Sequence, residues 1–341
     1  MNPGGKTRVL ITVDTEADMR DGRIIPPELM IYGRVGGQEY GINRMMDIAD
    51  RFGAVVTFFV SVYEHRQLGM GPVRKVCADI DSRGHEVQLH THPNWIYDHR
   101  FMWGYPLAKQ VELIAEGRDV IRSCIGRTPI AHRAGGFGAD TNTLLALGEN
   151  GIMVDSTFLN GEYSRLSPAA FPANGVGVHE GVLEIPVSVF EQFRVGGFRP
   201  VKPFDINTNS LSEMIFLLDH ARRHRFPVVN LLMHSFSFVN RSKDRRSITP
   251  NTHDMNKFER LLEFMHDDGG FDVVGIGRYY EMLRSSGEKP PLEGGMPVSG
   301  VARTVARACR YPTKGKANMA IAGALALLLL SILAAVCLFA R

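Results

Sequence analysis

The stretch Val9-Leu10-Ile11-Thr12-Val13-Asp14-Thr15-Glu16 is an apolar run of strand length that ends in two acidic residues. The pattern of an apolar run closed by polar chemistry recurs along the chain. Candidate strands cover Val9–Asp14, Val55–Val60, Glu86–His90, Ile130–Arg133, Ile152–Asp155, Leu183–Val187, Val228–His234 and Phe271–Val274. Candidate helices cover Gly41–Phe52, Val73–Arg83, Leu107–Cys124, Thr141–Glu149, Leu211–His224 and Asn256–Asp268. Strand–helix alternation of this kind predicts an α/β fold of parallel strands joined by crossovers. With seven or eight strands, a barrel is expected rather than an open sheet. No internal repeat is visible.

The polar residues gather where the predicted strands end. Asp14 and Glu16 close the first strand. His90, His92 and Asn94 close the third, Arg133 the fourth, Asp155 the fifth and His234 the seventh. In a parallel α/β barrel all these ends open on one face, where such folds build their sites. Packing explains a single histidine at one strand end. It does not explain several acids and histidines converging on one face.

Six motifs, in order, resemble those of the polysaccharide deacetylases of the NodB-homology type, carbohydrate esterase family four. They are Thr12-Val13-Asp14-Thr15-Glu16, Val56-Thr57-Phe58-Phe59-Val60, Gly84-His85-Glu86 leading to His90-Thr91-His92, Arg133-Ala134-Gly135-Gly136-Phe137, Asp155-Ser156-Thr157, and Leu232-Met233-His234-Ser235. The resemblance runs from Arg8 to Leu283. It implies a distorted (β/α) barrel of seven or eight strands and hydrolysis of N-acetyl groups on amino sugars. It also implies roles: Asp14 as general base, Arg133 as its orienting partner, and His234 as general acid. The acid is needed because an amine leaves poorly as an anion.

Such chemistry asks for one divalent ion held by a carboxylate and two imidazoles, with open positions for water and the amide oxygen. Here the sequence departs from the family pattern. The usual first motif has adjacent aspartates, the second a metal ligand, but Asp14 is followed by Thr15. Residues i and i+2 of an extended chain face the same way, so Glu16 is the expected carboxylate ligand, with Asp18 next in line. The usual histidine motif has its two histidines four apart, but position 94 is asparagine. His90 with His92 is the expected pair, and Asn94 is a weaker oxygen donor nearby. Imidazole and carboxylate suit zinc, with other divalent ions open.

Around this set, Trp95, Tyr97, Trp103 and Tyr105 follow the histidine motif, either as sugar-stacking faces or as loop packing. Trp95 and Asp155 are carried as substrate contacts, Asp155 with capping of the next segment as the competing role. His85 reads as structural, and His132 as secondary to Arg133. Gly135 and Gly136 lack the lysine-serine of a phosphate loop. His99, His220, His224 and His266 read as surface residues. Arg241, Lys243, Arg245 and Arg246 follow His234, so they are expected near the mouth, either as an anion site or as a solvated loop.

The 341 residues carry a net charge of only +3, which gives no ground for a nucleic-acid binder. The four cysteines, Cys77, Cys124, Cys309 and Cys337, form no disulfide framework. No secretory signal is seen at the start. Met319 to Ala340 carries no charge. As a helix it would be about 33 Å long at roughly 1.5 Å per residue, enough to cross a bilayer core of about 30 Å. Arg303, Arg307, Arg310, Lys314 and Lys316 precede it without an acid among them. The positive-inside rule then places the body in the cytoplasm, with the basic stretch against anionic lipid. The expected organisation is a catalytic domain over 1–285, a Pro/Gly then basic linker over 286–318, and a membrane anchor over 319–340. The expected partners are an N-acetylated glycan or lipid-linked amino sugar and membrane lipid, as in exopolysaccharide synthesis. Two other classes compete: a same-fold amidase on a small cyclic amide, which a membrane anchor argues against, and a non-catalytic glycan-binding scaffold.

Overall fold

The computed structural model describes residues 5–310, apart from residues 21, 160–163, 167–172, 195–196, 245 and 291. Nine strands form the main sheet. They are β1 (Thr7–Thr15), β2 (Val56–Ser61), β3 (Glu86–Thr91), β4 (Ala131–Ala134), β5 (Val154–Asp155), β6 (Gly177–His179), β7 (Val182–Glu184), β8 (Val229–His234) and β9 (Phe271–Val273). Their order is β6-β7-β5-β4-β3-β2-β1-β8, with β9 beside the start of β1. All pairings are parallel except the β6–β7 hairpin.

The expected barrel is thus a curled, mixed half-barrel. Its free margins do approach each other. Beyond β7, the Ser188 amide donates to the Asn230 carbonyl on β8 at 3.0 Å, and the Asn230 amide donates to Ser188 Oγ at 2.9 Å. β7 stops at Glu184, short of the expected Val187, because the chain turns there to meet β8.

The outer helices are α1 (Ile42–Arg51), α2 (Met70–Asp81), α3 (Leu107–Ile125), α4 (Thr141–Glu149), α5 (Leu211–Arg223), α6 (Thr252–Asp268), α7 (Ile276–Ser286) and α8 (Val301–Arg310). Six of these coincide with predicted helices. Their starts carry local signals: Asp140 and Ser210 each accept the backbone N–H three residues on, in reciprocal capping boxes.

The two-residue period of β1 sorts its side chains. Val9, Ile11 and Val13 join the core under the helices. Leu10 joins a second cluster inside the curl, with Phe59, Ala131, Val154 and Leu183. Thr12 and Asp14 share the parity of Leu10, so the strand delivers them to the inside.

After α7 the chain does not leave the body. Val176 and Leu292 exchange backbone hydrogen bonds at 2.9 and 2.8 Å. α8 then packs on the domain, so the stretch expected as linker is docked as far as Arg310. The uncharged stretch 319–340, expected as a membrane helix, lies outside the described residues. Among those residues, no helix is long and apolar enough to cross a membrane.

Candidate active site

Asp14 on β1 and His234 on β8 are register partners across a parallel pair, both at the C-terminal end of their strands. Arg133, from the end of β4, reaches across the curl to Asp14. Its Nη1 donates to Asp14 Oδ1 at 2.7 Å. Its Nε donates to the Ser156 carbonyl at 2.9 Å, and its Nη2 to Thr12 Oγ1 and Ser156 Oγ, each at 2.9 Å. The guanidinium lies 4.4 Å from the centre of the Phe59 ring. Arg133 is wholly buried and Asp14 nearly so. Burial alone would raise the Asp14 carboxyl. The charges of Arg133, His90 and His234 more than offset this and hold it below the ordinary aspartate value.

A second cluster stands beside it. Glu16 Oε2 lies 2.5 Å from His92 Nε2 and 3.6 Å from His90 Nε2. One donor atom from each of the three residues falls within 4.8 Å of the others. His90 Nδ1 faces the Arg133 carbonyl at 2.8 Å. A carbonyl only accepts, so Nδ1 carries the hydrogen, and in the neutral ring Nε2 keeps a free lone pair, as a metal ligand requires. Glu16 Oε2 is buried and faces both imidazole nitrogens. Burial opposes ionisation of Glu16, but His92 and His90 hold its carboxyl well below the usual value. Burial lowers the His92 imidazole, yet Glu16 raises it above its ordinary range. The carboxylate and two imidazoles thus fit a divalent ion. Asp18, next in line as a ligand, turns away and accepts from Arg241 Nη1 at 2.9 Å. Asn94 is exposed and stays outside the three-donor cluster.

Gly135 makes room for this arrangement. A Cβ there would lie 2.5 Å from atoms of the His92 ring. Trp95 packs edge-on to His92, with ring centroids 5.8 Å apart, and its indole N–H is buried without an acceptor. Only 7% of Trp95 is exposed, so it is a wall of the site rather than an open stacking face. Trp103 packs against Phe101, centroids 5.1 Å apart, with the Arg165 guanidinium 3.5 Å above its ring. His234 stacks on Phe236 at 5.0 Å, and Arg241 lies 4.0 Å over that same Phe236. Of the basic run, Arg241 therefore borders the mouth.

Asp155 departs from the expectation of a substrate contact. It is fully buried. Its Oδ1 faces His132 Nδ1 at 2.8 Å and accepts from Thr157 Oγ1 at 2.7 Å, while His132 Nε2 meets Thr91 Oγ1 at 2.9 Å. Asp155 and His132 thus form a buried strut between β3, β4 and β5, beneath the site. Glu184, the register partner of Asp155, is also wholly buried. Burial and the adjacent Asp155 push its carboxyl well above the usual value. His85 is structural as expected: it is buried, and its Nδ1 accepts from the Val56 amide at 3.2 Å.

Sequence reasoning missed Glu64. This buried carboxyl accepts from Ser61 Oγ at 2.8 Å, and its charge bears on His92. It follows the end of β2, so the strand-end rule that found Asp14 also points to it.

No family model matches the chain, and no curated protein matches it. Its backbone does match solved structures. A Mycobacterium smegmatis protein described as a polysaccharide deacetylase superposes with a TM-score of 0.53 at 21% identity, over 87% of this chain and 96% of that one. The chain has the polysaccharide-deacetylase fold. Weaker matches are the peptidoglycan deacetylase PdaC from Bacillus subtilis (TM-score 0.43, 10% identity, 84% and 96% covered) and a family 4 carbohydrate esterase from Streptomyces lividans in complex with acetate (TM-score 0.42, 12% identity, 78% and 90% covered). On this fold the ends of β1, β3, β4 and β8 hold Asp14, His90, Arg133 and His234.

Proposed function

We propose that this chain is a metal-dependent N-deacetylase of amino sugars, acting on a glycan or lipid-linked sugar as in exopolysaccharide synthesis. In the same reading it is held to a membrane by residues 319–340, with its site on the cytoplasmic side. One observation carries the catalytic part: the Arg133–Asp14 pair stands beside the Glu16, His90 and His92 donors, with His234 level with Asp14 on the neighbouring strand. A divalent ion held by Glu16, His90 and His92, zinc by preference, would polarise the acetamide carbonyl and acidify a water.

The chain's own residues then divide the proton work. Asp14, kept ionised by Arg133, takes the proton of the attacking water as the C–O bond forms. His234 gives a proton to the nitrogen as the C–N bond breaks, and acetate and a free amine result. Trp95 closes one side of the site and excludes water from it. Neither the amidase nor the scaffold alternative is favoured by a particular contact here. A scaffold would have no use for a buried arginine paired with one carboxylate beside three donors suited to a metal.

The test is the divalent-ion content of the full chain in detergent, followed by acetate release from N-acetyl amino sugars. The expected result is about one ion per chain, with loss in both His90→Ala and His92→Ala, together with release of acetate from lipid-linked substrate. No ion after reconstitution with zinc, manganese or nickel salts would overturn the reading. Acetate release from free polymer alone would confine the correction to the lipid-linked substrate.

A further inference from the structure

Beyond β7, residues Val189–Glu191 and Val201–Pro203 pair as an antiparallel hairpin. The segment after α7 returns to this hairpin. Val298 bridges Glu191, the Ser299 amide donates to the Glu191 carbonyl at 2.8 Å, and the Gly300 amide donates to the Gln192 carbonyl at 2.9 Å. α8 begins at that point and is pinned. Arg307 Nε stands 3.2 Å from Glu213 Oε1, and Arg307 also donates to Gln192 Oε1. Arg307 is 2% exposed and Glu213 is fully buried. A helix that served only as a tether would not need a buried ion pair, whose rupture leaves an uncompensated charge.

The outer surface of this hairpin–helix unit is unusual. Five large hydrophobic residues are exposed among the described residues, and three of them lie here: Phe198 at 64%, Val201 at 37% and Val301 at 53%. Exposed Arg199 and Arg303 stand on the same unit, beside Arg194, whose charge is paired with Glu191. Exposed apolar groups among arginines suit the headgroup zone of an anionic bilayer, where each cation favours binding by roughly fivefold. The unit is also at the right end of the molecule. α5 runs back against β8 through the short connection 224–228, so its first turn, with Glu213, lies at the same end of the sheet as His234. Only residues 311–318, with Lys314 and Lys316, separate Arg310 from the uncharged stretch that starts at Met319.

We propose that Phe198, the Val201–Pro203 strand and α8 form a docking surface for an anionic bilayer, which seats the mouth of the site at the headgroups. The sugar reached there is one carried on a lipid. This rests on the membrane reading given under Proposed function and adds a second, peripheral contact to it.

The test uses the full chain in lipid nanodiscs of phosphatidylcholine, with or without phosphatidylglycerol. Amide hydrogen exchange is followed over residues 197–203 and 301–307. Anchoring is measured separately, by resistance of vesicle-bound chain to alkaline extraction. The expected result is exchange slowed about tenfold by the anionic lipid. A Phe198→Ser/Val201→Ser variant should lose that protection while keeping its melting temperature and metal content. Equal exchange in both lipids, with the chain still resistant to extraction, would overturn the docking surface and leave the anchor standing. If alkali extracts the chain but the wild type, unlike the variant, still sediments with anionic vesicles, the surface stands and the anchor reading falls. Protection that appears in detergent without lipid and rises with protein concentration would mean that a second copy covers the patch, and the lipid proposal fails.

Discussion

Replacing Arg133 by methionine keeps the bulk of the side chain and removes its charge. Asp14 is then left buried with no cation bonded to it, and the Ser156 carbonyl and Thr12 Oγ1 each lose a donor, while Ser156 Oγ keeps the Asn230 amide. Breaking a buried ion pair by removing one partner costs about 3–5 kcal/mol. The neutral acceptors add roughly 1 kcal/mol each at most, and not additively. About 4 kcal/mol is therefore the expected loss at neutral pH, within the ~5–15 kcal/mol a domain has. The pH dependence makes this specific. In the native chain Asp14 titrates below its unfolded value of about 3.9, so its pairing stabilises above that value and the stabilisation is lost as pH falls through the native pKa. In Arg133→Met, burial is expected to raise the Asp14 pKa, so the variant loses stability as pH rises from about 4 towards 7. The gap between the two proteins is widest at neutral pH and narrows on acidification. Urea unfolding followed by Trp95 and Trp103 fluorescence, with a chelator present, measures it. Asp14→Asn in the Arg133→Met background should recover roughly 2 kcal/mol near pH 7 and little near pH 4. A stability deficit that is constant with pH, together with no recovery in the double variant, would refute Asp14 as the charge that Arg133 compensates.

Three further outcomes are expected. Gly135→Ala places a Cβ 2.5 Å from the His92 ring, so it should cut metal affinity about 10–100-fold, read by competition with a chromogenic chelator, while shifting the melting temperature little. Glu184 titrates well above its unfolded value, so the native chain loses stability as pH rises from about 4.3 through that raised value. Glu184→Gln, which can still accept the Phe158 amide, should be more stable than wild type near pH 7 and equal to it near pH 4, by thermal melts across that range. Arg307→Ala removes the partner of Glu213, at a cost of about 3–5 kcal/mol if α8 stayed docked. Release of α8 relieves part of that cost. Limited proteolysis should then cut between α7 and α8 while the melting temperature of the body falls only slightly.

The strand ends were legible because they break a rule of composition. Asp14, His90, Arg133 and His234 are polar residues at the ends of apolar runs, and parallel topology alone brings such ends together. Glu16 and His92 followed from the two-residue period, and the structure places both with His90. Asp155 gave the same signal, but its strand is only two residues long and its Oδ1 is engaged by His132 and Thr157 in the buried interior. Nothing local distinguishes a strand-end acid that opens to the mouth from one that lies beneath it. Arg307 was misread for a similar reason. In a run of basic residues before an apolar stretch it looks like the others, and only Glu213, distant in sequence, makes it a buried residue. The half-barrel also depends on distant partners: the Ser188–Asn230 contact that brings its margins together leaves no periodic trace in either segment.

The two departures from the deacetylase motif pattern have one geometric cause. A metal centre needs three donor atoms at mutual distances of a few ångströms, and it is indifferent to which backbone positions supply them. β1 ends at Thr15 and β3 at Thr91, so Glu16 and His92 each stand one residue past a strand. Thr15 is buried and its hydroxyl donates to the Val13 carbonyl at 3.2 Å, so position 15 offers nothing to the metal. Glu16, one methylene longer than aspartate, reaches from the next position, and His92 meets it at 2.5 Å over Gly135. The shifted carboxylate, the shifted imidazole and the glycine thus form one interlocked set. Restoring a single position of the family pattern, such as Thr15→Asp or Asn94→His, has no partner here to complete it.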